Sequence, residues 1–183
     1  MDPRLSVNVL SLAPAAFGQQ VEAAARIGAP AITPDVGQMD GLPAALAARM
    51  IGNAGLKATA LTHRSFGFGD APETQASQER LARSIDYADG IGASTIVLTT
   101  GGRGRLSWNE AAMGFAEAIA PCAALAKTAG IALGVLLGAI AFGALLLVAG
   151  ALAGLGCGPA GHQRERAGDQ AAGAGQRRVF VEG

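Results

Sequence analysis

The sequence predicts an α/β protein whose strands run parallel, and three observations carry that prediction. Four short runs rich in Val, Ile, Leu and Thr are each followed by an amphipathic segment of helical period, and a fifth run begins at Ile131. The connections are short, and parallel neighbours require a crossover that a helix supplies. Half of the residues are hydrophobic but only 4% are aromatic, so the core is built from Ala, Leu, Ile and Val, which lets helices pack closely on strands. This order fits either an open doubly wound sheet or the beginning of a closed barrel.

Residues 4–12 (RLSVNVLSL) read as strand one, ending at Ala13-Pro14, with Pro14 suited to the first turn of the next helix. That helix, 14–28, sets Phe17, Val21 and Ala24 on one face and Gln19, Glu22 and Arg26 toward the other. Residues 31–36 form strand two, with Asp35 at its far end. Helix two spans about 42–54, with Leu42, Leu46 and Met50 in register and Gly55 behind its last turn. Strand three, 56–62, ends in His63-Arg64. Asp70 and Glu73 have the spacing of a capping box before helix three, about 73–91, which turns Leu81, Ile85 and Ala88 inward and Arg80 and Arg83 toward solvent.

Residues 94–100 (STIVLTT) are the strongest strand signal, a β-branched run bounded by glycines. The segment GGRG at 101–104 has two readings, an anion-binding turn of backbone N–H groups or a tight turn into the next helix. Helix four opens on Ser107 with Glu110 three residues later, and aligns Trp108, Ala112, Phe115, Ile119, Cys122 and Ala126. Residues 131–135 are strand five.

The balance of charge excludes some partners. Fourteen basic and fourteen acidic residues cancel, and without a basic patch the chain is not expected to bind nucleic acid. Two cysteines, Cys122 and Cys157, are too few for a disulfide framework, so reduced thiols in a cytoplasmic setting are expected. The first residues lack the pattern of an export signal, and Leu12-Ala13-Pro14 stands where a dinucleotide-binding fold needs a glycine-rich turn.

The succession AARIGAPAITPDV, NAGLKATALTHRS, DYADGIGASTIVLTTGGRG and KTAGIALGV resembles the xylose isomerase-like TIM-barrel superfamily of sugar phosphate isomerases and epimerases. The resemblance runs from about residue 4 to residue 135. It implies a partial (β/α) barrel of four to five units, because a complete one needs about 250 residues. It also implies a polar mouth at the carboxyl ends of the strands, a small-molecule carbohydrate as partner, and a divalent metal. In that resemblance His63 is the candidate catalytic residue, binding a metal or hydroxyl or moving a proton. The alternative is a histidine that only hydrogen-bonds the next loop. Asp35 and Arg103 lie on the same rim and are candidates to contact hydroxyls or a phosphate, or are simply solvated.

The metal is not expected to be bound by this chain. Where the resembled family delivers a glutamate after strand five, this sequence has Leu136 and Leu137, and beyond Lys127 the only acids are Glu165, Asp169 and Glu182. Residues 136–155 carry no charge and are long enough to cross a membrane as a helix. The other reading of that run is a hydrophobic helix covering the open edge of a half-barrel. Residues 158–183, rich in Gly, Ala, Gln and Arg, are expected to be disordered. The division is thus 1–135 for the partial barrel, 136–157 for the hydrophobic helix and 158–183 for the tail. The abrupt change at Leu136 would follow if the barrel-like reading frame ended near Val135. The expected function is a sugar (phosphate) isomerase/epimerase-like protein, truncated or frame-altered and without the metal-binding half of its site. The alternative is a non-enzymatic protein, associated with a membrane or with itself through 136–155.

Overall fold

A computed structural model describes residue 2 and residues 4–136. The expected hydrophobic helix beyond Leu136 and the expected disordered tail lie outside the described residues. Six short strands and four helices alternate in the order β1 (Val7–Asn8), α1 (Phe17–Arg26), β2 (Ala31–Thr33), α2 (Ala44–Asn53), β3 (Lys57–Ala58), β4 (Leu61–Thr62), α3 (Ala71–Ile91), β5 (Thr95–Thr99), α4 (Trp108–Thr128) and β6 (Ala132–Leu136). All pairings are parallel, in two three-stranded sheets of order β1-β2-β3 and β4-β5-β6. A single bridge, Asp35 to Thr62, links them, and the Thr62 amide donates to Pro34 O at 2.7 Å. The two sheets are one arc of five strand positions, the third of them split.

The split is the main departure from the expected strand three. Lys57–Ala58 pairs back onto β2 and Leu61–Thr62 pairs forward onto β5, with no ladder at Thr59 and Ala60 between them. Strand one is also shorter than expected. The Asn8 side chain accepts a hydrogen bond from the Leu10 amide, which turns Val9–Leu12 into a 3₁₀ helix and ends the ladder. Pro14 precedes α1 instead of opening it, and the Ala13–Pro14 peptide is cis. Strand five extends one residue further than expected, to Leu136.

The core lies between the outer face of the arc and the helices. Val9, Ile32, Leu61, Ile96 and Leu98 point out of the sheet onto Val21, Ala24, Ala47, Ile51, Leu81, Ile85, Phe115 and Ile119, all of them buried. Phe115 meets Phe66 and Phe68 edge-on, with both centroid distances 5.7 Å, a favoured arrangement for aromatic quadrupoles. The helix faces match the expected periodicity with two exceptions. In α2 the buried residues are Ala47 and Ile51 while Leu46 is 37% exposed, so the helix turns its alanine face and not Leu46 toward the core, where it packs on β3. In α4 Trp108 is 38% exposed and packs under Arg103, while the other five expected residues face the core.

Helix ends follow the expected chemistry. Asp70 accepts from the Glu73 amide at 2.8 Å, although the Glu73 carboxylate reaches back to the Gly69 amide and not to Asp70 itself. Ser107 and Glu110 form a reciprocal capping box at α4. Gly28, Gly55, Gly92 and Gly130 each follow a helix with φ near +72°, a conformation glycine adopts without strain. Among the described residues no helix is long and apolar enough to cross a membrane, and Cys122 is a free, buried thiol.

Candidate functional site

Two surfaces at the carboxyl ends of the strands carry the polar residues. The first is the inner, concave face of the arc. Strand alternation puts Ser6, Thr33, Asp35, Thr62 and Thr99 there, opposite in sense to the core-facing Ile32, Leu61 and Leu98. Ser6 and Thr33 share a hydroxyl–hydroxyl bond of 2.9 Å. Asp35, 9% exposed, accepts from the Gly37 amide at 3.0 Å and so starts the 3₁₀ turn Val36–Gln38. Its other oxygen takes no hydrogen bond among the described residues.

The second surface is a cleft of about 400 Å³ between segment 36–42 and α3. Its polar lining includes Asp40, His63, Arg64, Arg80, Arg83 and Tyr87. His63 follows β4 and alternation turns it away from the inner face, toward α3. It is 4% exposed, and its Nδ1 lies 2.9 Å from Ser84 Oγ. The Ser84 hydroxyl donates to Arg80 O at 3.1 Å. A hydroxyl has one proton, so Nδ1–H is the donor to Ser84, and Nε2 keeps its lone pair. That Nε2 is buried and has no hydrogen-bond partner among the described residues.

Burial, and then the positive charges of Arg80 and Arg64, push the His63 imidazole down to about 4. It is therefore neutral at pH 7. The guanidinium of Arg64 lies over Gly37, so close that a Cβ at position 37 would sit 2.6 Å from Nη2. Arg80 donates to Ser77 Oγ at 2.8 Å, and the Tyr87 hydroxyl donates to Leu42 O at 3.0 Å, tying α3 to segment 36–42. Burial raises the Tyr87 phenol above its ordinary value.

Of the three residues singled out in the sequence, Asp35 and His63 come from adjacent strand ends but face opposite sides of the arc. Arg103 lies on the β5–α4 connection, where its guanidinium stacks 4.9 Å from the Trp108 ring centroid and donates to Leu106 O. Gly104, at φ +57°, makes the turn that returns the chain to α4. Sequence reasoning missed Ser84, Arg64 and the cleft itself; of the two arginines it turned toward solvent, Arg83 is exposed as expected while Arg80 is half-buried. The available signal was Ser77 and Ser84, two small polar residues seven apart in the apolar stripe of α3.

The described residues do not fit a divalent ion. No group of three or more His, Cys, Asp or Glu among them is placed to hold one. His63 offers one nitrogen lone pair, but its charged neighbours are guanidinium groups, which repel a cation.

Residues 21–135 match the family model of the xylose isomerase-like TIM barrel. The chain belongs to that family. The xylose isomerase-like barrel thus accounts for the parallel arc and excludes the open doubly wound alternative. Similar solved structures include protein SMc04130 from Sinorhizobium meliloti 1021, with 26% identity and a TM-score of 0.70 over 85% of this chain and 60% of that one. A sugar phosphate isomerase/epimerase from Parabacteroides distasonis ATCC 8503 is similar at 16% identity and a TM-score of 0.58, covering 72% of this chain and 50% of that one. The IOLI protein, whose structure binds a zinc atom, is similar at 12% identity and a TM-score of 0.62, covering 71% and 50%. This chain therefore spans about half to three-fifths of the length of these xylose isomerase-like structures. No curated protein matches it in sequence.

Proposed function

We propose that this chain is a sugar or sugar phosphate isomerase/epimerase-like protein whose described part forms the substrate-recognition side of the site and lacks the metal-binding side. The observation that carries this reading is the inner face at the strand ends, where Asp35 is bridged to Thr62 beside the hydroxyls of Thr33 and Thr99. A carboxylate with one free oxygen and a row of hydroxyls is suited to hydrogen-bond a polyol. Arg103, at the end of β5, is the candidate contact for a more distant hydroxyl or charge. An acid–base group works best with a pKa near the working pH. His63 faces α3 and not the inner face, and with its pKa at about 4 it is neutral at pH 7, so we assign it neither contact with the sugar nor proton transfer at neutral pH.

The test is calorimetric titration of the full 183-residue chain with unphosphorylated aldoses and ketoses, alone and with Mg²⁺ or Mn²⁺, alongside an isomerisation assay. The expected result is weak, saturable sugar binding that Asp35→Asn reduces about tenfold, equal to the loss of roughly 1.4 kcal/mol, with no turnover in either metal. Absence of binding, or binding that Asp35→Asn leaves unchanged, overturns the recognition reading. Turnover with added metal overturns the statement that the metal side is lacking.

A second reading rests on the uncharged run 136–155, which lies outside the described residues. In it this run anchors a non-enzymatic protein to a membrane. Recovery of the full chain in the soluble fraction without detergent rejects it.

A further inference from the structure

We infer that the cleft between segment 36–42 and α3 is a binding site for the phosphate group of a small phosphate monoester. Three arginines, Arg64, Arg80 and Arg83, line an opening of about 400 Å³, and Asp40 is the single carboxylate in its lining. The nearby Asp35 carboxylate accepts from the Gly37 amide through one oxygen and is not among the residues that line the cleft. None of the three arginines forms an ion pair with a carboxylate among the described residues. Guanidinium forks match phosphate oxygens in geometry and charge.

A second, independent feature points to an occupant. The Nε2 of His63 in the cleft wall is buried and unpartnered, and leaving a buried polar atom unsatisfied costs on the order of 1–3 kcal/mol. A phosphate monoester near pH 6 carries one exchangeable proton, since its second pKa is about 6. That proton bridges a phosphate oxygen and Nε2, while the remaining oxygens accept from the arginines. No proton is gained or lost in the step. The volume exceeds that of a phosphate alone and its remaining walls, Met39 and Leu42 with the Tyr87 ring, suit a short carbon chain.

This inference does not depend on the inner face binding sugar, and the two are probed by different ligands. The full chain is titrated at pH 6 with inorganic phosphate and with glycerol phosphate, by calorimetry and by nitrogen NMR of the His63 ring. Expected are saturable binding of the ester, a rise of about one unit or more in the His63 pKa, and a loss of about tenfold in affinity for Arg80→Gln and for Arg83→Gln. Arg83 is exposed at its place on α3, so its replacement leaves the fold intact. Arg26→Gln, on the exposed last turn of α1, is the control. Binding lost equally in Arg26→Gln, an unmoved His63 resonance, binding of inorganic phosphate but not of the ester, or no saturation below about 10 mM overturns the inference.

Discussion

Acidification from pH 7 to 4 should destabilise this protein through His63 in particular. In the unfolded chain the imidazole titrates near 6.5, and in the fold it is held down to about 4. Above pH 6.5 it is neutral in both states and adds nothing to the pH dependence. Below that, the unfolded chain takes up a proton that the folded chain refuses, so stability falls with pH until about 4. At about 1.4 kcal/mol per pH unit the gap amounts to at most about 3 kcal/mol, and solvent at the mouth of the cleft reduces it. Domains of this size have only about 5–15 kcal/mol in total. Urea unfolding of the native chain and of His63→Gln, each at pH 7 and pH 4.5, isolates the effect. The native chain should lose about 2 kcal/mol more than the variant. Equal losses, or a His63 resonance that titrates near 6.5, would refute the reasoning.

Phe115→Ala removes the ring that both Phe66 and Phe68 contact edge-on. It should cost about 3–5 kcal/mol in chemical unfolding. Gly101→Ala would put a Cβ 2.9 Å from the Phe66 carbonyl oxygen and 3.1 Å from Gly67 Cα. Backbone atoms give way less easily than side chains, so a loss of about 1–3 kcal/mol is expected in thermal unfolding. Ser107→Ala breaks the reciprocal cap of α4 and should cost about 1 kcal/mol, read as lower stability and as faster exchange of the Glu110 amide.

The alternation of strands and helices was legible because each element carries its own period, its own caps and a glycine stop. What was not legible depends on partners distant in sequence. Nothing in LKATALT announces that its two halves pair with different sheets, since that is set by where Ile32 and Ile96 lie. The face of α2 was misjudged because a leucine outweighs an alanine in any periodicity, yet it is Ala47 that fits against the sheet. His63 and Asp35 were recognisable as strand-end polar residues. The direction of His63 was not, because it depends on strand parity and on Ser84, twenty-one residues along the chain. The three arginines of the cleft form a group only when Arg64 is brought beside α3.

The ladder between β5 and β6 joins five residue pairs, whereas each of the other strand pairings joins two. Amides protected by a longer ladder over a denser core open only with larger unfolding events. Hydrogen–deuterium exchange should therefore proceed in order along the arc, with Val7–Asn8 and Lys57–Ala58 exchanging early and the amides between Ile96 and Leu98 last. The slow end of the arc is the end that leads into the uncharged run, so whatever follows Leu136 is attached to the most persistent part of the fold.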